Sequence, residues 1–121
     1  MKVKNEASDL LRIHLAELGL EFRTEVRFYA ARQWRADFEI IEHGILLEIE
    51  GGVWSGGRHL RGAGFIEDCE KYNTATMLGF RVLRFDTQSV LNGNAKKFLK
   101  EWLGAKRRPL VMAERGGGQE L

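Results

Sequence analysis

Apolar residues recur along the chain at two spacings, which divide it into alternating helical and extended stretches. Ala7, Leu11, Leu15 and Leu18 stand three and four apart and predict an amphipathic helix from about Asn5 to Gly19, with the glycine as its stop. Glu21 to Tyr29 alternates polar and apolar and predicts a strand. Trp34 to Ile41 predicts a second, with Trp34, Ala36, Phe38 and Ile40 on one face and Arg35, Asp37 and Glu39 on the other. His43-Gly44 marks a turn, and Gly44 to Gly51 predicts a third strand whose run Ile45-Leu46-Leu47 asks for burial on both faces. Phe65 to Leu78 predicts a helix with Phe65, Cys69, Tyr72 and Thr76 on its core face, stopped by Gly79. Phe80 to Phe85 is a fourth strand. Asn94 to Leu103 is a last helix, with Ala95, Phe98, Leu99 and Trp102 along one stripe. The order αβββαβα predicts an α/β fold: a mixed β-sheet flanked by helices.

With 121 residues the chain has room for one hydrophobic core, and its 44% hydrophobic and 30% charged residues are those of a globular protein. Residues 1–104 read as a single domain, and 105–121 as a basic, then Gly-rich, C-terminal tail. No apolar run is long enough for a membrane span, and the first residues lack the apolar core of a secretory signal. The expectation is a cytoplasmic protein. Cys69 is the single cysteine, which excludes an internal disulfide framework and a multi-cysteine zinc site. The net charge is only +2, but arginine outnumbers lysine twelve to seven, and a planar bidentate donor suits phosphate.

The chemistry concentrates on the second and third strands. Asp37 is mid-strand, and Glu48 and Glu50 are two apart on the next strand, hence on one face. A turn at His43-Gly44 brings the strands side by side, so the three carboxylates converge. Half-buried, their repulsion costs several kcal/mol unless a cation or proton sits among them, and a hard divalent ion is the natural partner. The same spacing also fits three side chains that point to solvent from an open sheet face. Downstream, Gly51-Gly52 would let a substrate backbone approach, and six glycines fall within residues 51–64. That stretch also carries Trp54, Arg58, His59 and Arg61. Asp68 and Lys71, three apart, share a face of the following helix, as a solvated ion pair would too.

Several of these segments together resemble the PD-(D/E)xK nuclease superfamily. They are Trp34-Arg35-Ala36-Asp37-Phe38, Leu47-Glu48-Ile49-Glu50-Gly51-Gly52, His59, Asp68 and Gly79-Phe80-Arg81-Val82-Leu83-Arg84-Phe85. Within the superfamily they look most like the Vsr-like branch, which is related to very-short-patch repair endonucleases and homing endonucleases and includes small phage and prophage nucleases. The resemblance runs from about Glu6 to Val90. It implies a restriction-endonuclease-like core and a Mg²⁺- or Mn²⁺-dependent endodeoxyribonuclease that hydrolyses phosphodiester bonds in phage or prophage DNA processing, inside a bacterial or phage-infected cell. It further implies Asp37 and Glu48 as metal ligands, His59 and Asp68 as active-site residues, and Glu6 as the helix acid. Glu50 stands where the superfamily usually has lysine. There it can serve as ligand or base but cannot donate positive charge, a role that Lys71 on the next helix can take. Trp54 matches an aromatic that wedges into DNA in the repair enzymes, and an aromatic plug under the loop fits it equally. The zinc-binding cysteines of those enzymes are missing here, so a mismatch-repair role does not carry over.

The parts combine into a mechanism in which Glu50 or His59 takes the proton of the attacking water. Lys71 and the loop arginines Arg58 and Arg61, with Arg35, neutralise phosphate charge. The expected partner is DNA. A chain this short has no room for a separate sequence-reading domain, so stringent specificity calls for a homodimer or an unusual DNA structure. Two other readings fit the same residues: a DNA-binding module that keeps the fold without cutting, and a structural subunit of a DNA-processing assembly.

Overall fold

A computed structural model describes residues 2–51 and 62–104. The tail expected over 105–121 and the Gly-rich segment 52–61 lie outside the described residues. Helix α1 spans Lys2–Glu17, and strands β1 (Phe22–Val26), β2 (Ala36–Ile40) and β3 (Ile45–Glu50) follow it. Helix α2 (Ala63–Met77) leads into β4 (Arg81–Asp86), and the short helices α3 (Thr87–Leu91) and α4 (Asn94–Leu99) close the domain, with a wider turn over Lys100–Gly104. The four strands form one sheet in the order β1-β2-β3-β4. The first three are antiparallel, whereas β3 and β4 run parallel and are joined through α2. This is the expected mixed α/β architecture, a mixed sheet flanked by helices. Among the described residues no helix is long and apolar enough to cross a membrane.

The two faces of the sheet are covered unequally. On one face α1 contributes Ala7, Leu11 and Leu15, and α3 and α4 contribute Val90, Ala95 and Leu99. They pack on Phe38, Ile40, Ile45, Leu47 and Ile49, and all are essentially removed from solvent. The other face has a far smaller apolar cluster of Ala36, Leu46 and Ala75, edged by Phe28, Phe80 and Val82. The Ile45-Leu46-Leu47 run is buried on both faces as its composition demands.

Three expectations need correction. The core face of α2 is not Phe65, Cys69 and Thr76, which are exposed; the helix turns Asp68, Lys71, Tyr72 and Ala75 inward, at the same helical spacing but one residue out of phase. Ala36 leaves the face of Phe38 and packs under α2 with Leu46. An extra helix, α3, follows β4, so the order is αβββαβαα. Its N-cap is Asp86, whose carboxylate accepts the Ser89 backbone N–H at 3.2 Å and the Ser89 hydroxyl at 2.7 Å.

The β2–β3 connection is a single 3-10 turn over Ile41–His43, followed by Gly44 at φ 61°, a left-handed conformation that disfavours any side chain. The Gly44 carbonyl accepts the Arg81 N–H at 3.0 Å, which ties the start of β4 to this turn and fixes the parallel register.

Phe38 is fully buried at the centre of the main core, so Phe38→Ala is expected to lose about 3–5 kcal/mol in a denaturant titration. Phe65→Ala, at a position 58% exposed, is expected to change stability by no more than about 0.5 kcal/mol. A large loss at Phe65 would restore the face first expected of α2.

Candidate active site

The site grows out of an interruption in the sheet. Strands β2 and β3 pair through Phe38↔Leu47, Glu39↔Leu46 and Ile40↔Ile45. Continuing that register puts Asp37 opposite Glu48 on the face covered by α2. The regular pairing ends at this point, and Asp37 Oδ2 instead accepts the Ile49 backbone N–H at 2.8 Å. The other edge of Asp37 is irregular too. β1 pairs with β2 at Thr24↔Phe38 and again at Val26↔Ala36, while Glu25 between them is held at φ 54°. A non-glycine residue in that conformation is strained, and strain of this kind gathers at functional sites.

Each of the three carboxylates has its own cation. Lys4 of α1 places its ammonium 3.5 Å from Asp37 Oδ2. Lys71 of α2 places its ammonium 3.0 Å from Glu48 Oε2. Arg84 of β4 donates from Nε to Glu50 Oε2 at 2.8 Å. Among the described residues no three His, Cys, Asp or Glu side chains stand close enough to cage a metal ion. The expected convergence of three carboxylates is therefore only partial: they share a face, but three ion pairs neutralise them.

Glu48 is the exceptional member. It is one of two buried polar residues among those described, and its Oε2 has no hydrogen-bond partner of good geometry there. The Lys71 ammonium is the charge that faces this oxygen, at 3.0 Å. Burial pushes the Glu48 carboxyl up to about 7; Lys71 opposes the rise, and the charges of Asp37 and Glu50 add to it.

Tyr72 completes the cluster. Its ring lies under both cations, 4.4 Å from the Arg84 guanidinium carbon and 5.4 Å from the Lys71 ammonium. Burial raises its phenol well above the usual range, and the charges of Glu48 and Glu50 add to this. Burial works against the charge on Arg84, but the hydrogen bond and charge of Glu50 more than compensate and keep the guanidinium protonated.

Of the residues singled out in the sequence, Asp37, Glu48, Glu50 and Lys71 come together here. Asp68 is half-buried one turn before Tyr72 on the same helix face, and its charge acts on Tyr72 and Arg84. Lys71 pairs with Glu48 and not with Asp68, so the solvated Asp68–Lys71 pair does not form. Arg35 lies just before β2, half-exposed, 3.7 Å from Glu25. Glu6 is exposed on α1, and the α1 side chain beside Asp37 is Lys4. Trp54, Arg58, His59 and Arg61 lie outside the described residues. Sequence reasoning missed Lys4, Tyr72 and Arg84 as site residues. Tyr72 carried the clearest signal, since it follows Lys71 and stands four after Asp68.

A raised carboxyl in the folded state contributes stability below its ordinary value of 4.5, and that contribution is lost as pH rises through about 7. Stability is thus expected to fall over this window, and Glu48→Gln should flatten the fall in denaturant titrations at several pH values. In carbon NMR of the side-chain carboxyls, Glu48 should titrate near 7, and Lys71→Met should move it higher because an opposing charge is gone. A midpoint near 4.5 would contradict the burial described above.

Comparison of the sequence with protein-family models and with curated proteins finds no match. Among solved structures, the chain is similar to the catalytic domain of the homing endonuclease I-Bth0305I. The TM-score is 0.60 at 17% identity, over 80% of this chain and 93% of that domain. At that identity the likeness is one of fold: the sheet that carries Asp37, Glu48 and Glu50 is built as in a nuclease catalytic domain.

Proposed function

We propose that the chain is a metal-dependent DNA endonuclease of the PD-(D/E)xK type, in its Vsr-like branch, acting in phage or prophage DNA processing. The observation that carries this reading is the burial of the Glu48 carboxylate beside Asp37 on one face of a sheet with the fold of a nuclease catalytic domain. Burying an acid beside two others has a cost that Lys71 offsets only in part, since the Glu48 carboxyl stays raised to about 7, and a further cation at the site would offset the rest.

The residues fit Mg²⁺ or Mn²⁺ by their chemistry. Asp37 and Glu48 offer hard oxygen donors from adjacent strands, and among the described residues the hydrogen bond and the ion pair of Asp37 both use Oδ2, leaving Oδ1 without a contact to them. Glu50 joins them only if Arg84 releases it. When bound, the metal supplies Lewis-acid stabilisation of negative charge on phosphate oxygens. The chain supplies the rest. Asp37 and Glu48 hold the ion, and Glu50 or His59 accepts the proton of the attacking water. Lys71, kept in place by Glu48, brings positive charge to the phosphate at the side where the superfamily's usual lysine is replaced by Glu50. Arg35, Arg58 and Arg61 contact flanking phosphates, with Trp54 against the bases and Asp68 shaping the field at Tyr72. Specificity beyond a single site would come from a homodimer.

The second reading is a DNA-binding module that does not cut. It is favoured by the three ion pairs, which satisfy the carboxylates without a metal.

The two readings separate in one assay. Purified protein with Mg²⁺ or Mn²⁺ is expected to nick or cut plasmid DNA and to lose activity in EDTA, in Asp37→Ala and in Glu48→Ala, with folding retained by circular dichroism. At a pH above the raised Glu48 midpoint of the variant, Lys71→Met is expected to keep metal binding and to slow single-turnover cleavage by about 10²-fold, the scale of losing one preorganised donor. Full activity in EDTA or in Asp37→Ala would overturn the first reading.

A further inference from the structure

The three ion pairs are not alike, and the difference suggests how the site is loaded. Lys71 and Glu48 are sealed in, with side chains 14% and 9% exposed. Lys4 and Arg84 are open, at 38% and 47%, and their carboxylates are more accessible than Glu48. Lys4 is also held loosely, since 3.5 Å is long for a charge-assisted hydrogen bond. Both open cations end flexible stems that can carry the charge several ångströms while the chain stays packed. The Lys4 stem lies where a Cβ on Gly51 would touch it, at 3.6 Å, and the Arg84 guanidinium lies on the Tyr72 ring, which still supports it if it turns from Glu50.

We propose that Lys4 and Arg84 are exchangeable counter-ions of this site. In the free protein they hold Asp37 and Glu50; on DNA binding they move to backbone phosphates and release the two carboxylates to a divalent cation. Charge balance favours the exchange. Among the described residues, the three carboxylates and their three cations leave this group of ion pairs neutral. A divalent cation alone would raise it to +2, and two phosphates at Lys4 and Arg84 return it to zero. Metal and DNA therefore bind with positive coupling, and by linkage each strengthens the other by the same factor. Lys71 takes no part in the exchange, because leaving Glu48 would strand a buried charge. Tyr72 is a positioning residue for Arg84. The proposal rests on the nuclease reading for its choice of DNA as the polyanion.

Isothermal titration of Mn²⁺ tests it, with and without a phosphorothioate duplex that resists cleavage. The wild-type chain is expected to bind Mn²⁺ more tightly with duplex, within the roughly 5–150-fold range usual for coupled sites. Lys4→Met/Arg84→Met is expected to bind Mn²⁺ more tightly than wild type in the absence of duplex and to lose most of the gain on adding it. In metal-free buffer, the salt dependence of duplex binding should fall by about two units of slope, one for each lost phosphate contact. Lys4→Arg/Arg84→Lys should retain the coupling, which separates lost charge from a disturbed fold. Mn²⁺ binding that is no tighter in the free double Met variant, or an unchanged salt slope, overturns the proposal. Plasmid cleavage by the wild type is scored separately. Cleavage with unchanged titrations overturns the exchange and leaves the nuclease reading standing. Coupling without cleavage supports the exchange and overturns the nuclease reading.

Discussion

The burial of Glu48 beside Lys71 is the constraint on which the rest of the site depends. A carboxylate at the centre of a sheet needs a cation, and the nearest source is the helix that crosses over that face. This is why α2 presents Asp68, Lys71 and Tyr72 to the sheet instead of an apolar stripe, and why its own hydrophobic anchorage shrinks to Ala75. An apolar α2 would pack better and would leave Glu48 stranded, at a cost well above that of a surface charge.

The other face of the sheet offsets this cost. There Ala7, Leu11 and Leu15 of α1 and Val90, Ala95 and Leu99 of the C-terminal helices close over Phe38, Ile40 and Leu47 with no buried charge. Among the described residues, apolar burial is concentrated on one face of the sheet and charge on the other. The strained Glu25 and the broken pairing at Asp37 lie where the chemical face meets the β1–β2 edge. Around them, Trp34 donates to Glu67 at 2.6 Å and carries Arg32 on its ring at 4.2 Å, which clamps the β1–β2 loop to α2.

Neutralising each carboxylate with its own cation lets the three acids share one face of the sheet. The same three cations come from three different elements, α1, α2 and β4. The site is therefore assembled only when the whole domain is folded, and loss of any one element would leave at least one carboxylate unpaired.

The alternation of β2 and β3, the helical spacing of α1 and the turn at Gly44 were legible in the sequence, because these patterns are local and their periods are fixed by backbone geometry. The same periodicity placed Asp37, Glu48 and Glu50 on one face. Helix α2 was misread because burial was assigned to its apolar residues, whereas a buried acid on the neighbouring strand selects for polar ones; nothing within the helix announces that. Helix α3 was passed over because five residues carry too little periodicity, although Asp86 and Ser89 spelled its cap. The pairing of Lys4 with Asp37 and of Arg84 with Glu50 joins residues more than thirty apart. Only the packing of α1 and β4 around the end of β3 brings them together. The sequence by itself determined which residues are charged and which face of each strand they occupy. Tertiary structure alone decided which charge meets which, since ion pairing depends on distances that no local spacing sets.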